Sequence, residues 1–163
     1  MAFDFEQLKQ KAIRDQKKNK ALFERLKKKK DLDQSFHKLH DEVFEIIDCL
    51  DCANCCRSLG PRITNKDIEK LAGHFRKRPS EITEQYFRID EDGDFVFKSM
   101  PCPFLGTDNY CAVYENRPKA CREYPHTDSV KMHKLLNITL KNIPVCPAVS
   151  EIVDKLHKAI GSK

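Results

Sequence analysis

The chain has 163 residues, of which 40% are hydrophobic and 34% charged, with a formal net charge of +5. That length suits one compact domain with room for an appended helical element, and the charge density favours solubility. No run approaches the roughly 18 apolar residues of a membrane span, and the start MAFDFEQLKQK lacks the apolar stretch of a signal peptide, so a cytoplasmic protein without a membrane partner is expected.

Residues 4–30 read as an amphipathic helix, with Phe5, Leu8, Ala12, Leu22 and Leu26 on one stripe and Asp15 and Asn19 weakening its middle. Its basic run from Lys11 ends in Lys27, Lys28, Lys29 and Lys30. One reading is a docking face for an acidic protein partner. The simpler reading is a solvated helix face, diluted by Glu24, Asp31 and Asp33. No aromatic residue interleaves with the lysines to stack on bases, which argues against nucleic acid. Residues 34–48 give a clearer helix. Phe36, Leu39, Val43, Ile46 and Leu50 step by three and four, and this helix is expected to lead straight into Cys49. His37 and His40 lie near that stripe without ligand-like spacing and read as packed or surface histidines.

Thr64 and Asp67 have the spacing of a capping box, which predicts a helix over 65–75 with Ile68, Leu71 and Phe75 inward. Ser80 is placed to cap a short helix ending near Phe87. A hairpin follows, turning at Asp92-Gly93 and placing Phe95 and Phe97 on one strand face. Asp90, Asp92 and Asp94 imitate the start of a calcium loop, but the closing glutamate and the flanking helices are missing. Residues 100–126 should be loops around one short helix beginning at Pro118 and carrying Ala120, Cys121 and Tyr124. Residues 130–143 fit a helix through Val130, Met132, Leu135 and Leu136, or a strand through Leu136, Ile138 and Leu140. Residues 148–160 read as a helix, with Ile152, Val153, Leu156 and Ile160 on one face.

The strongest chemical signal is Cys49-Leu-Asp-Cys52-Ala-Asn-Cys55-Cys56, with Cys102, Cys111, Cys121 and Cys146 further on. Disulfides are uncommon in a reducing cytosol, so thiolate–metal chemistry is the expected use of these eight residues. A C-x-x-C step turns two sulfurs toward one centre, and backbone N–H groups of such a knuckle can stabilise thiolate charge. Structural zinc takes four thiolate or imidazole ligands, and an iron–sulfur cluster such as [4Fe-4S] commonly takes four thiolates. Eight cysteines could therefore fill one or two sites, with zinc or iron as the metal. Cys49, Cys52 and Cys55 match the three-cysteine run of bacterial ferredoxins, with Cys102-Pro103 and Cys146-Pro147 as remote candidates, but Cys56 breaks that pattern. Cys55 and Cys56 can point to opposite sides of a turn and serve two centres. Arg57, Arg117 and Arg122 are placed to balance thiolate charge, or to pair with Glu115 and Glu123. Tyr114 and Tyr124 read as packing residues, and His74 and His126 as spectators.

The ordered segments Cys49-x2-Cys52-x2-Cys55-Cys56-Arg57, Ile63-Thr64-x2-Asp67-Ile68, Cys102-Pro103-Phe104-Leu105, Cys111-x2-Tyr114, Arg117-Pro118-x2-Cys121-Arg122 and Tyr124-Pro125 resemble the CxxCxxCC cysteine-cluster family, a zinc- or iron-chelating domain. The likeness covers roughly residues 49–125, and Cys146-Pro147 resembles a further downstream cysteine. It implies metal chelation by these cysteines. The family includes flagellin lysine methylases, in which the domain is part of an enzyme. This chain has five glycines and no glycine-rich cofactor loop, so that role is not carried over.

The expected architecture is mainly α with a small β-hairpin: a small, irregular, metal-stapled cysteine-cluster domain flanked by amphipathic helices. Its segments are a basic helical segment at 1–47, the metal-binding domain at 48–126, and a C-terminal segment at 127–163 whose helix packs on the same core. The expected function is cytosolic metal binding through Cys49, Cys52, Cys55, Cys56, Cys102, Cys111, Cys121 and Cys146. An iron–sulfur electron carrier or enzyme is the alternative, and a partner-binding module using the basic helix is a further one. No nucleophile–base pair emerges from the sequence.

Overall fold

The structure, a computed structural model, describes residues 3–161. In chain order its helices are α1 (Phe5–Arg14), α2 (Gln16–Leu26), α3 (Leu32–Phe44), α4 (Cys49–Cys52), α5 (Asn54–Ser58), α6 (Asn65–Phe75) and α7 (Pro79–Tyr86). Strands β1 (Phe87–Ile89) and β2 (Phe95–Phe97) follow, then α8 (Lys119–Glu123), α9 (Leu136–Asn142) and α10 (Pro147–Gly161). Single 3-10 turns lie at Tyr114–Asn116 and Met132–Lys134. The protein is thus mainly helical with one two-stranded antiparallel hairpin. Among the described residues no helix is long and apolar enough to cross a membrane.

The chain divides into two compact units, each with its own core: residues 1–52 with 125–163, and residues 53–124. In the first unit α2, α3, α9 and α10 enclose Phe23, Leu26, Phe36, Val43, Leu136, Val149, Ile152 and Leu156. Full burial of each such side chain contributes about 1.5–3 kcal/mol. Leu22 and Leu26 of the first amphipathic stripe are buried, whereas α1 buries none of its residues. The predicted single helix is two, because Asp15 leaves helical geometry (ψ 9°) between α1 and α2. The helix predicted over 34–48 ends at Phe44. Ile46, expected on its apolar stripe, is 71% exposed, and Ile47 packs on the core in its place. The chain therefore reaches Cys49 through a break, not through a continuous helix.

A polar row on α3 holds the segment that follows residue 125. The Asp33 carboxylate accepts the Lys131 and Met132 N–H groups at 2.8 and 2.7 Å. His37 Nε2 lies 2.8 Å from the Ser129 carbonyl, and His40 Nδ1 lies 2.7 Å from Thr127 Oγ1. The spacing i, i+4, i+7 puts all three side chains on one helical face. With the backbone of this segment held, residues 132–142 take the helical alternative rather than the strand.

In the second unit the hairpin pairs Phe87 with Phe97 and Ile89 with Phe95. Gly93 supplies the positive φ (83°) that its turn requires. The Asp90 carboxylate accepts the Asp92 and Asp94 N–H groups, both at 2.9 Å, so it caps the turn. Phe104 sits among Phe75, Tyr86 and Phe97, with ring centroids 4.8–5.8 Å away, and these rings with Leu71 and Ile82 form the core. α6 carries the predicted capping box: Thr64 N–H donates to Asp67 Oδ2 (2.8 Å) and Asp67 N–H to Thr64 Oγ1 (3.2 Å). α7 begins two residues earlier than a Ser80 cap would have it. Pro79 takes its first turn, and Glu81 accepts the Arg78 N–H.

Candidate metal centre

Among the described residues none of the eight cysteines is joined in a disulfide. In the first unit, Cys49 and Cys52 open and close the one-turn helix α4, which Asp48 caps by accepting the Leu50 N–H at 2.9 Å. Positions three apart on one turn put both thiols on the same side. Cys146 stands just before α10, its carbonyl accepting the Ser150 N–H at 3.1 Å. Its sulfur accepts the Ala148 and Val149 N–H groups. Burial pushes this thiol up to about 12 against those hydrogen bonds, and the nearby Cys49 and Cys52 push it further. Cys146 thus lies within the electrostatic reach of Cys49 and Cys52.

In the second unit a left-handed Ala53 (φ 48°) precedes α5, which carries Cys55 and Cys56. The Cys56 carbonyl accepts the Cys102 N–H at 2.8 Å, fastening α5 to the loop that holds the next cysteines. That loop folds back on itself. Ala112 N–H donates to the Phe104 carbonyl and Gly106 N–H to the Tyr110 carbonyl, both at 2.8 Å, which brings Cys111 beside Leu105. Cys121 lies on α8. The start of α8 is anchored by Asp67, whose second oxygen accepts the Lys119 N–H at 3.0 Å.

Electrostatics show which thiols share an environment. Burial raises the Cys121 thiol to about 12, with Cys102, Cys56 and Cys111 adding to the rise. Cys102 is held at about 11 by burial, with Cys56 and Cys111 again contributing. Cys111 is raised by burial and then by Cys56. Cys56 goes the other way, down to about 7: it is hydrogen-bonded to Cys55, and the guanidinium groups of Arg57 and Arg117 favour its thiolate against the effect of burial. Arg57 also binds Asn109, and Arg117 stacks 3.9 Å over the Tyr114 ring. Arg122 is exposed on α8.

The structure thus gathers Cys56, Cys102, Cys111 and Cys121 in one unit, with Cys55 bonded to Cys56, and Cys49, Cys52 and Cys146 in the other. Among the described residues no three His, Cys, Asp or Glu side chains already form a coordination shell, so each set is a group of neighbours rather than a closed cage. The donor chemistry nonetheless suits a thiophilic ion. Soft sulfur ligands select zinc and iron–sulfur centres, and thiols raised by burial surrender that penalty when a cation replaces the proton. His37 and His40 are engaged with residues 127–129, and His74 Nδ1 lies 3.2 Å from Asn116 Nδ2. These histidines are thereby committed to partners other than the cysteines.

One recurrent device is missing from the sequence reading. After Cys102, Cys111 and Cys146, the N–H of the residue two positions on donates to the cysteine sulfur: Phe104, Val113 and Ala148. Those three residues are also buried, at 5%, 1% and 1% exposure. The apolar side chain fixes the loop, and the loop aims its N–H at sulfur. The signal in the sequence is Cys-x-apolar, present as Cys-Pro-Phe, Cys-Ala-Val and Cys-Pro-Ala.

The chain is 31% identical over 78 residues to an uncharacterised protein of Methanocaldococcus jannaschii, an alignment covering 46% of this chain and 43% of that one. It thus spans less than half the length of this relative. No solved structure matches it significantly. A family model does match, over residues 48–147, which is more than half the chain and contains all eight cysteines. The chain belongs to the CxxCxxCC family, described as a "putative zinc- or iron-chelating domain".

Proposed function

We propose that this protein binds zinc or iron through cysteine thiolates, with Cys56, Cys102, Cys111 and Cys121 as the principal ligand set. The observation that carries the reading is the convergence of these four thiols within one unit, two of them already accepting backbone N–H groups. Four thiolates match the demand of a structural zinc ion or an iron–sulfur centre. Bound metal supplies a cross-link among α5, the 102–111 loop and α8. Arg57 and Arg117 offset the negative charge of the assembled thiolates. Thiolate–metal chemistry is the usual role of clustered cysteines in a reducing compartment, and on this reading we place the protein in the cytoplasm.

Elemental analysis and a visible spectrum of protein purified without oxygen test this directly. Stoichiometric zinc in colourless protein, or iron with dithionite-bleachable absorbance, is the expected outcome, and the double substitution Cys102→Ser/Cys121→Ser should abolish it. Metal content unchanged in that variant sinks the assignment. The basic run has a weaker claim to a partner, since Lys27 pairs with Glu24 and Lys29 with Asp31, both at 2.7 Å.

A further inference from the structure

In the first unit, α2, α3 and α10 border a groove of about 480 Å³. Its apolar lining consists of the buried Leu26 and Leu156 with the half-buried Leu39 and Ile160. Its charged lining is of one sign, Arg25, Lys29 and Lys38, and no carboxylate lines it. Arg25 and Lys38 are exposed, so these charges stand at the rim above an apolar floor. Arg25 Nη2 donates to the Ile160 carbonyl at 3.4 Å. That carbonyl belongs to the last turn of α10, where a positive charge is favoured, and the bond holds the guanidinium at the groove. Lys38 enters no ion pair among the described residues. Lys29 pairs with Asp31, whose side chain is 58% exposed. A pair so open to water contributes little and yields readily to a second carboxylate.

We infer that this groove docks an acidic segment of a protein partner, one that presents a large apolar residue flanked by carboxylates. The apolar residue covers Leu39 and Ile160, and the carboxylates meet Arg25, Lys29 and Lys38. Charge complementarity selects this occupant: three cations converge on one groove without a counter-charge in its lining. Other occupants fit less well. No aromatic residue lines the groove to stack a base, and an apolar floor adds nothing to phosphate binding. A membrane surface takes up apolar residues that protrude, whereas these lie at the bottom of a concavity. A second copy of this chain carries the same net charge of +5 and is repelled at long range. The site differs from the basic helix face expected from the sequence, because Lys38 lies on α3 and the apolar floor is shared among three helices. It draws on none of the cysteines and stands independently of the metal reading.

The test titrates the full chain, purified without oxygen, into the fluorescent peptide Glu-Glu-Leu-Leu-Glu-Glu and follows anisotropy. Two control peptides, Gln-Gln-Leu-Leu-Gln-Gln and Glu-Glu-Ser-Ser-Glu-Glu, separate the charged from the apolar contribution. Each control should bind at least tenfold more weakly. Lys38→Glu, at an exposed position that leaves the core intact, should weaken the acidic peptide at least tenfold. Lys66→Glu makes the same change of charge on α6, outside the groove, and should alter affinity less than twofold. Thermal unfolding of both variants checks that they fold as the wild type does. Absence of binding, equal binding of all three peptides, or equal weakening by Lys38→Glu and Lys66→Glu overturns the proposal. So does binding to phosphatidylserine vesicles, or dimerisation in sedimentation, that Lys38→Glu abolishes, since the groove would then belong to a membrane or to a second copy.

Discussion

Asp33 illustrates how much one side chain can organise. Its carboxylate takes two main-chain N–H groups from residues nearly a hundred positions away, at 2.8 and 2.7 Å, and these bonds hold its pKa below the ordinary 3.8. A depressed folded-state pKa adds stability above the unfolded value, and that stability is lost as pH falls through the folded one. Asp33→Asn should therefore cost about 1 kcal/mol at neutral pH, given partial solvent screening. The gap between variant and wild type should close below pH 3.8, as the wild-type carboxyl is protonated. Urea midpoints measured between pH 3 and 7 check this, and a gap constant with pH contradicts it. His37 and His40 occupy the same helical face, and each finds a partner in residues 127–129. Their reading as packed histidines came from a lack of ligand spacing, and their bonds agree with it.

At the scale of elements, α6 and α8 are joined by Asp67, which is 2% exposed. It completes the α6 capping box with one oxygen and receives the Lys119 N–H with the other. Asp67→Ala removes both acceptors and should destabilise the protein by about 2–3 kcal/mol. Faster hydrogen exchange should appear at the Cys121 amide as α8 loses its anchor, and unchanged exchange there would contradict the account. The capping box was legible in the sequence because all its partners lie within four residues. The Lys119 bond was not, because 52 positions separate its ends. The same contrast runs through the fold. The hairpin and its Asp-Gly turn follow from local chemistry, as does α10. The end of α3 does not, since Ile46 keeps the apolar spacing while lying outside the helix. For the cysteines, residue type and spacing announced metal chemistry. The division into sets depends on how the 102–111 loop and α10 return to α5 and α4, which no local pattern encodes.

For the molecule as a whole, two cores imply two stabilities. The first unit rests on large apolar side chains from four helices, including fully buried Phe36, Leu26 and Leu156. The second has its aromatic cluster, but its α5 and α8 are five residues each and bury few apolar side chains of their own. On the proposed function, metal removal should act unevenly. Hydrogen exchange after chelation is expected to accelerate first in α5, the 102–111 loop and α8, while α3 and the middle of α10 stay protected. Uniform loss of protection across both cores would show that metal does not act as a local cross-link.

The first unit is assembled from two separated stretches of chain, with the whole of the second unit between them. A ribosome makes the chain in order, so α2 and α3 emerge with their apolar faces before α10 exists to cover them. At synthesis rates of about 5–20 residues per second, that interval lasts on the order of 5–20 s. The intervening unit, residues 53–124, is fully synthesised before α10, and on the proposed function its thiols can capture metal during this time. Newborn chains would then be metal-loaded in one half while still adhesive in the other, and the basic run from Lys11 to Lys30 would keep such intermediates apart by mutual repulsion.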